Sequence, residues 1–303
     1  MGQPRVSEKV PGHVASKLAL GTVQFGMPYG VANRSGKVPP AEIAAILSRA
    51  ASGGMDTLDT AIAYGDAESS LGRVGVDGWR VVSKLPPLPA SVHSVEAWIN
   101  DQVAASLRRL GIKALEALLL HRSADLLERD GEQYRLALGR VKASGLALAV
   151  GVSIYDPTEL DALWSTWRPD IVQVPCNVLD RRLIGTGWLG KLDRNGVRVH
   201  VRSAFLQGLL LMTRPEWPRT FSPWKDLLTR WLEWCEQRST RPLEAALRFV
   251  QELPGVERIV VGVESTSQLE EVLAAADSKA PLPPEDLLSD DLRLIDPSRW
   301  SRP

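Results

Sequence analysis

The stretch Asp59-Thr60-Ala61-Ile62-Ala63-Tyr64-Gly65 ends a strand-like run, Met55 to Ala61, and sets a carboxylate and a phenol five residues apart. Lys84 closes the largely apolar run Trp79-Arg80-Val81-Val82-Ser83, and His121 directly follows Leu118-Leu119-Leu120. An acid, a phenol, an amine and an imidazole at the ends of three consecutive buried-looking strands would converge at the mouth of a parallel barrel, forming a site that moves a proton. Each has a plainer explanation alone: Asp59 capping a turn, Tyr64 half-buried, Lys84 snorkelling, His121 satisfied in the core. The set resists that explanation. A lysine ending a buried strand needs a counter-ion, and Asp59 on the neighbouring strand supplies one. A tyrosine beside that lysine is expected to have its pKa lowered from ~10, which makes it a usable acid near neutrality. Reduction of a carbonyl requires such an acid.

The elements that must position these residues read as eight strand–helix units. Strands are expected at Leu18–Phe25, Met55–Ala61, Arg80–Lys84, Ala117–His121, Leu148–Ile154, Ile171–Pro175, Arg198–Arg202 and Arg258–Val263. They are short and nearly continuously apolar, as a parallel sheet buried on both faces requires. Helical patterns lie between them, at Ala41–Ala51, Glu68–Gly72, Val95–Leu110, Glu132–Ala143, Pro157–Trp167, Leu183–Leu192, Trp224–Gln237 with Leu243–Gln251, and Ser267–Ala275. The alternation runs without a break, which favours an α/β chain folded as one (β/α)8 TIM barrel over residues 17–279. Residues 1–16 read as a flexible N-terminal segment. Residues 280–303, rich in Pro and acid, read as a C-terminal tail, more simply a disordered end than a pocket cover. Three loops exceed what a barrel needs: Gly26–Pro40, Pro86–Ser94 and Leu210–Pro223. All three follow strand carboxyl ends, the face where barrel sites are built.

Lys+Arg and Asp+Glu both number 36, so no global field favours nucleic acid or an anionic membrane. Cys176 and Cys235 lack metal-ligand and redox-motif spacing, and two reduced thiols point to the cytoplasm. The first 16 residues lack the apolar core of a secretory signal, and no apolar run is long enough to span a bilayer. Gly185-Thr186-Gly187-Trp188-Leu189-Gly190 matches a dinucleotide-binding glycine pattern by letter only. No strand runs directly into it and no acid follows at the needed distance, so it reads as a loop and short helix. Trp224, Trp231 and Trp234 fall at helical spacing with Leu227 and Leu228 as a core-facing stripe, whereas Trp217 is freer to line a pocket.

With those residues in view, the chain resembles the aldo-keto reductase superfamily over nearly its whole length. The likeness runs from Leu20-Gly21-Thr22 through Asp59…Tyr64-Gly65, Ser83-Lys84, Leu120-His121, Gly151-Val152-Ser153 and Gln173 to Leu206-Gln207-Gly208-Leu209 and Gly262…Gln268-Leu269-Glu270-Glu271. The stretch Gln24-Phe25-Gly26…Tyr29-Gly30-Val31-Ala32-Asn33 is similar to a bacterial branch often associated with sugar or polysaccharide metabolism. The resemblance implies a barrel that holds NADP(H) extended, with Tyr64 as general acid, Lys84 paired to Asp59 tuning it, and His121 orienting the substrate oxygen. No metal is implied. It also implies that Gly21, Thr22 and Asp59 border the cofactor, that Ser153 and Gln173 hold the nicotinamide carboxamide, and that Arg202, Ser203, Phe205, Gln207 and Gly208 run along the pyrophosphate. Gly262, Glu264, Ser265, Gln268 and Glu271 fall at the adenosine end. Arg202 stands where many relatives stack an aromatic ring, and Ile154 replaces an asparagine common after the matching serine. Glu264 would repel a 2′-phosphate or accept from a ribose hydroxyl, while Ser265, Thr266 and Gln268 can donate to phosphate without charge. NADP(H) is therefore expected, with NAD(H) used as well.

The expected reaction is reduction of an aldehyde or ketone, sugar-derived carbonyls among them, to an alcohol by hydride transfer. The partner is then a small carbonyl or alcohol, with neither nucleic acid nor membrane involved and the oligomeric state open. Two alternatives stand beside it: a Schiff-base aldolase on Lys84, and a regulatory barrel that binds NAD(P) without significant turnover.

Overall fold

The computed structural model describes residues 17–300; the expected flexible segment 1–16 lies outside them. Eight parallel strands close on one another in chain order, β1 (Leu18–Gly21), β2 (Thr57–Asp59), β3 (Arg80–Leu85), β4 (Ala117–Leu120), β5 (Val150–Ser153), β6 (Ile171–Pro175), β7 (Arg198–Arg202) and β8 (Val256–Gly262). The last strand pairs back to the first, with Gly21 level with both Gly262 and Asp59. This is a (β/α)8 barrel in a single domain.

The first two strands are shorter than their apolar runs. β1 stops at Gly21 because Val23–Gly26 winds into a helical turn instead of extending. β2 covers only Thr57–Asp59, yet Thr60 N–H still donates to Val82 O (2.9 Å) and Ile62 N–H to Lys84 O (3.2 Å). The chain thus stays bonded to β3 beyond the strand and is carried across the barrel mouth toward Tyr64. The helices fall near the expected places, Val95–Leu110 on the same residues. Ser94 Oγ accepts from Ala97 N–H there (3.3 Å), and Gly111 ends the helix with φ +70°. The 157–167 pattern contracts to Glu159–Leu163.

Side chains alternate along each strand, so one parity faces the outer helices and the other fills the barrel. Val82, Ala117, Leu119, Ala149 and Ile171 form an apolar cluster of their own, separate from the larger core between sheet and helices. Two residues further along their strands stand Lys84, His121 and Gln173. The plug that stabilises the barrel therefore carries the polar residues on its upper side. At the amino ends, Arg80 and Arg198 both reach Glu116 (2.8 and 2.5 Å), an ion network at the face where barrels place stability.

Other expectations need correction. The tail is packed as far as Trp300: Leu287, Leu294 and Ile295 are buried, Ser289 N–H donates to Leu179 O (2.8 Å), and Trp300 meets the Phe221 ring edge-on at 4.8 Å. Its apolar residues outweigh its Pro and acid content. Trp217 packs on the core and is not part of the cleft lining, its Pro-rich loop being folded onto the barrel. The glycine pattern at 185–190, by contrast, is the turn and short-helix segment expected, between Arg182–Gly185 and Trp188–Arg194 and away from the cleft.

Candidate active site

Asp59 is the last residue of β2 and is 3% exposed, and Lys84 on β3 is fully buried beside it. The lysine ammonium donates to Asp59 Oδ1 at 2.6 Å and to Thr60 O at 2.9 Å. The second carboxylate oxygen, Oδ2, accepts from Gln173 Nε2 at 2.6 Å, and Ser153 Oγ lies 3.3 Å from Gln173 Oε1. A polar chain, Lys84–Asp59–Gln173–Ser153, thus spans the barrel mouth from β3 to β5 by way of β2 and β6. The pairing satisfies groups that burial would otherwise penalise heavily.

Tyr64 sits on the turn above this chain, half-buried. Its ring centroid is 5.1 Å from Lys84 Nζ, and the His121 ring meets it edge-on at 5.7 Å and 73°. The turn docks on Gly26 so closely that a Cβ there would fall 1.7 Å from Tyr64 O. Gly65 has φ +56°, and its own Cβ would fall 2.5 Å from Gly26 O. Only glycine fits at both positions, and their contact fixes where the phenol stands.

The electrostatics depart from one expectation. The Tyr64 phenol is raised above its ordinary value, first by burial and then by the negative Asp59, rather than lowered by Lys84. Lys84 gives its hydrogen bonds to Asp59 and Thr60, and the Asp59 carboxylate opposes its charge at the ring. Burial pushes the lysine itself down while Asp59 pulls it back up. His121 is pushed down to about 4 by burial and by the positive charges of Lys84 and Arg202, which leaves a neutral imidazole at physiological pH.

The His121 shift has a measurable consequence for stability. The folded ring takes its proton only near 4, against 6.5 in the unfolded chain. The unfolded state binds more protons between those values, so this contribution is present above the unfolded pKa and is lost as pH falls toward the folded one. Denaturant titrations across that window should show a shallower loss of stability in His121→Gln than in the wild type.

The cleft beside these residues has a volume of about 380 Å³. Of the residues expected in the site, Gly21, Thr22, Asp59, Tyr64, Gln173, Arg202, Ser203, Phe205, Gln207, Gly208, Gly262, Glu264, Gln268 and Glu271 line it. Lys84 and Ser153 are buried beneath this lining, His121 stands partly exposed beside Tyr64, and Ser265 caps the helix Thr266–Ala276. Sequence reasoning missed Gln24, Tyr29, Asn33, Arg34, Leu243 and Val272, which also line the cleft. The signal for four of them was the overlong first loop and its approach. This loop crosses to the segment after β7, where Gln207 Nε2 donates to Tyr29 Oη (3.1 Å) and Arg34 pairs with Glu216 (2.9 Å).

The lining fits an extended nicotinamide dinucleotide. Gln24 Oε1 is buried without a partner among the described residues, and a Cβ on Gly262 would strike the Gln24 amide at 2.7 Å, so the wall is shaved to backbone there. Ser203, Leu206 and Gln207 hold positive φ, and the N–H groups of Ala204, Phe205 and Gln207 donate to nothing among the described residues. Free amides on a bent segment are what a pyrophosphate binds. Arg202 is fixed by Ile154 O (2.9 Å) and by the Tyr155 ring, 4.3 Å from its centroid, and pairs with no carboxylate among the described residues. The Ile154 side chain is buried, so only its carbonyl serves the site.

The closed parallel barrel thus carries an Asp–Lys pair beneath a tyrosine, beside a groove lined in part by glycine. The aldo/keto reductase family model matches residues 17–289, and the chain belongs to that family. It is 30% identical over 191 residues to a 6-dehydroglucose reductase of Agrobacterium fabrum, a match covering 57% of this chain and 62% of that protein. It is 27% identical over 192 residues to an NADH-specific methylglyoxal reductase of Escherichia coli, covering 58% of this chain and 59% of that one. These matches thus span about three-fifths of the curated relatives' length. An aldo-keto reductase from Bacillus halodurans, solved in its holo form, superposes with a TM-score of 0.72 at 19% identity, covering 94% of this chain and 95% of that one. At that identity the likeness concerns the fold. No helix among the described residues is long and apolar enough to cross a membrane.

Proposed function

We propose that the protein reduces an aldehyde or ketone, in particular a sugar-derived or short dicarbonyl compound, to an alcohol with a nicotinamide cofactor. The observation that carries this reading is the buried Lys84–Asp59 pair, 2.6 Å apart, directly beneath the Tyr64 ring and beside His121. When bound, the nicotinamide supplies the hydride that adds to the carbonyl carbon. Tyr64, protonated throughout the neutral range, donates its phenolic hydrogen to the carbonyl oxygen and gives up the proton as charge develops there. His121, held neutral, directs an N–H at the same oxygen. Asp59 and Lys84 hold the floor of the site rigid, and Gln173 with Ser153 offers amide and hydroxyl groups to the carboxamide. NADP(H) was the expectation from sequence, with NAD(H) used as well. The free amides of the 204–207 segment serve the pyrophosphate common to both.

A Schiff-base role for Lys84 is disfavoured, because its amine is fully buried and already bonded to Asp59 and Thr60. The reductase reading is tested by a panel of reactive aldehydes, ketones and sugar-derived carbonyls, methylglyoxal among them, with oxidation of NADH and NADPH as readout. Turnover of at least one reactive aldehyde is expected. Tight dinucleotide binding with no turnover of any compound would instead favour a regulatory barrel.

A further inference from the structure

The cleft runs from Asp59 and Tyr64 at one end to Glu264, Gln268, Glu271 and Val272 at the other, where the helix Thr266–Ala276 begins. A dinucleotide whose nicotinamide lies at Tyr64 must place its adenosine at that far end. There the ribose 2′-position, carrying a hydroxyl in NAD(H) and a phosphate in NADP(H), meets the start of the helix.

A helix N-terminus ordinarily welcomes a phosphate, because its first N–H groups are free and its dipole is positive. Here the first of those groups is already taken. Thr266 donates both its N–H (2.5 Å) and its hydroxyl (2.9 Å) to Glu42 Oε1, a carboxylate delivered by the neighbouring helix Pro40–Ser52. Gln268 N–H donates to Ser265 Oγ (3.2 Å), and the Gln268 side-chain carbonyl accepts from Glu264 N–H (2.8 Å). Of the three uncharged residues that sequence offered as phosphate donors, Thr266 thus spends both of its donors on Glu42, whereas Ser265 and Gln268 act here as acceptors and their hydroxyl and amide groups serve a ribose hydroxyl as readily as a phosphate.

Charge points the same way. Among the described residues, the only basic ones lining the cleft are Arg34 and Arg202, and Arg34 is paired with Glu216. Arg49, on the helix that carries Glu42, is held by both oxygens of Glu270. A 2′-phosphate would enter a space lined by the carboxylates of Glu264 and Glu271, next to a helix terminus that already holds Glu42, with Arg34 paired and Arg202 committed to Ile154 O. Glu264 is half-buried with its carboxylate in no salt bridge among the described residues, and burial alone moves its acid upward. A carboxylate so placed repels phosphate and accepts from a ribose hydroxyl, as acids do in other dinucleotide sites.

We propose that this end of the cleft selects NAD(H) against NADP(H), with Glu264 receiving the ribose 2′-hydroxyl and Glu42 occupying the helix terminus that a phosphate would need. The inference rests on the reading that the cleft holds a nicotinamide dinucleotide. It reverses the preference expected from sequence, for the reason that Glu42 takes both Thr266 donors and the nearby charges are negative.

The test is equilibrium titration of NADH and of NADPH, followed by quenching of tryptophan fluorescence, in wild type, Glu264→Gln, Glu264→Arg and Glu42→Ala. Wild type should bind NADH about tenfold or more tightly than NADPH. Glu264→Gln should narrow the ratio and Glu264→Arg should narrow it further or invert it. Glu42→Ala, by freeing the Thr266 donors, should improve NADPH binding with little change for NADH. Equal or tighter NADPH binding by wild type would overturn the proposal, as would a ratio unmoved in both Glu264 variants that retain wild-type circular dichroism and Tm. Failure of wild type to bind either dinucleotide is a different result, which would overturn the reading of the cleft itself.

Discussion

Tyr64→Phe should lose about 10²–10⁴-fold in kcat, the range set by removing a positioned general acid, while dinucleotide affinity stays near wild type. The substitution deletes one hydroxyl and leaves the ring, whose contacts with Lys84 and His121 are made by its face and edge. The loop position should survive as well, because it is set by Gly26 and Gly65 rather than by the phenol. The direction of the Tyr64 shift adds a second expectation. A phenol held above its ordinary value stays protonated across the neutral range, so kcat should not fall from loss of this proton as pH rises from 6 to 9. Steady-state kinetics beside fluorescence titration separate chemistry from binding, and a variant retaining near wild-type kcat would remove Tyr64 from the mechanism.

Lys84→Met should be the more damaging change to the molecule as a whole. It leaves the Asp59 carboxylate 3% exposed with Gln173 Nε2 as its remaining side-chain donor. Breaking a buried pair from one side costs about 3–5 kcal/mol, which in a domain of this size lowers Tm by roughly 10 °C. Activity should fall with it, since the floor beneath Tyr64 loses both its charge and its fixed geometry. Structural and chemical roles separate in the double variant Asp59→Asn/Lys84→Met. Removing both charges should restore most of the lost stability, because the penalty lies in the uncompensated carboxylate, and should not restore turnover. Unchanged stability in the single variant would mean that Asp59 is relieved by a route absent from this structure. Recovery of kcat in the double variant would assign the pair a purely structural role.

Cofactor selectivity and these two variants probe different ends of one cleft, so their outcomes are independent. A protein that binds NADH tightly but is unaffected by Tyr64→Phe would keep the dinucleotide reading and lose the acid. One that needs Tyr64 yet prefers NADPH would do the reverse.

Much of this molecule was written in local patterns. Eight apolar runs alternating with amphipathic ones determine the barrel, because a strand buried on both faces must be apolar throughout and a helix on its outside must be so on one side only. Strand-end placement gave away Asp59, Lys84 and His121 for the same reason: a charged or polar residue after an apolar run has no place in a closed core except at its mouth. Tertiary structure decided what those neighbours do to one another. Lys84 beside Tyr64 suggested an acidified phenol, yet the paired Asp59 carboxylate opposes the lysine's charge, and burial, a property of the assembled barrel, governs the shift. Ser265, Thr266 and Gln268 looked like free donors in sequence. Glu42, 224 residues from Thr266 along the chain, fills one of them in space. The tail misled for a similar reason, since its Pro and acid content describes its solvent side while Leu287, Leu294 and Ile295 find the core. Residue type and spacing report what a segment can do. Which donors remain free, and which charges face one another, depends on contacts between residues far apart in the chain, and those exist only once the barrel has closed.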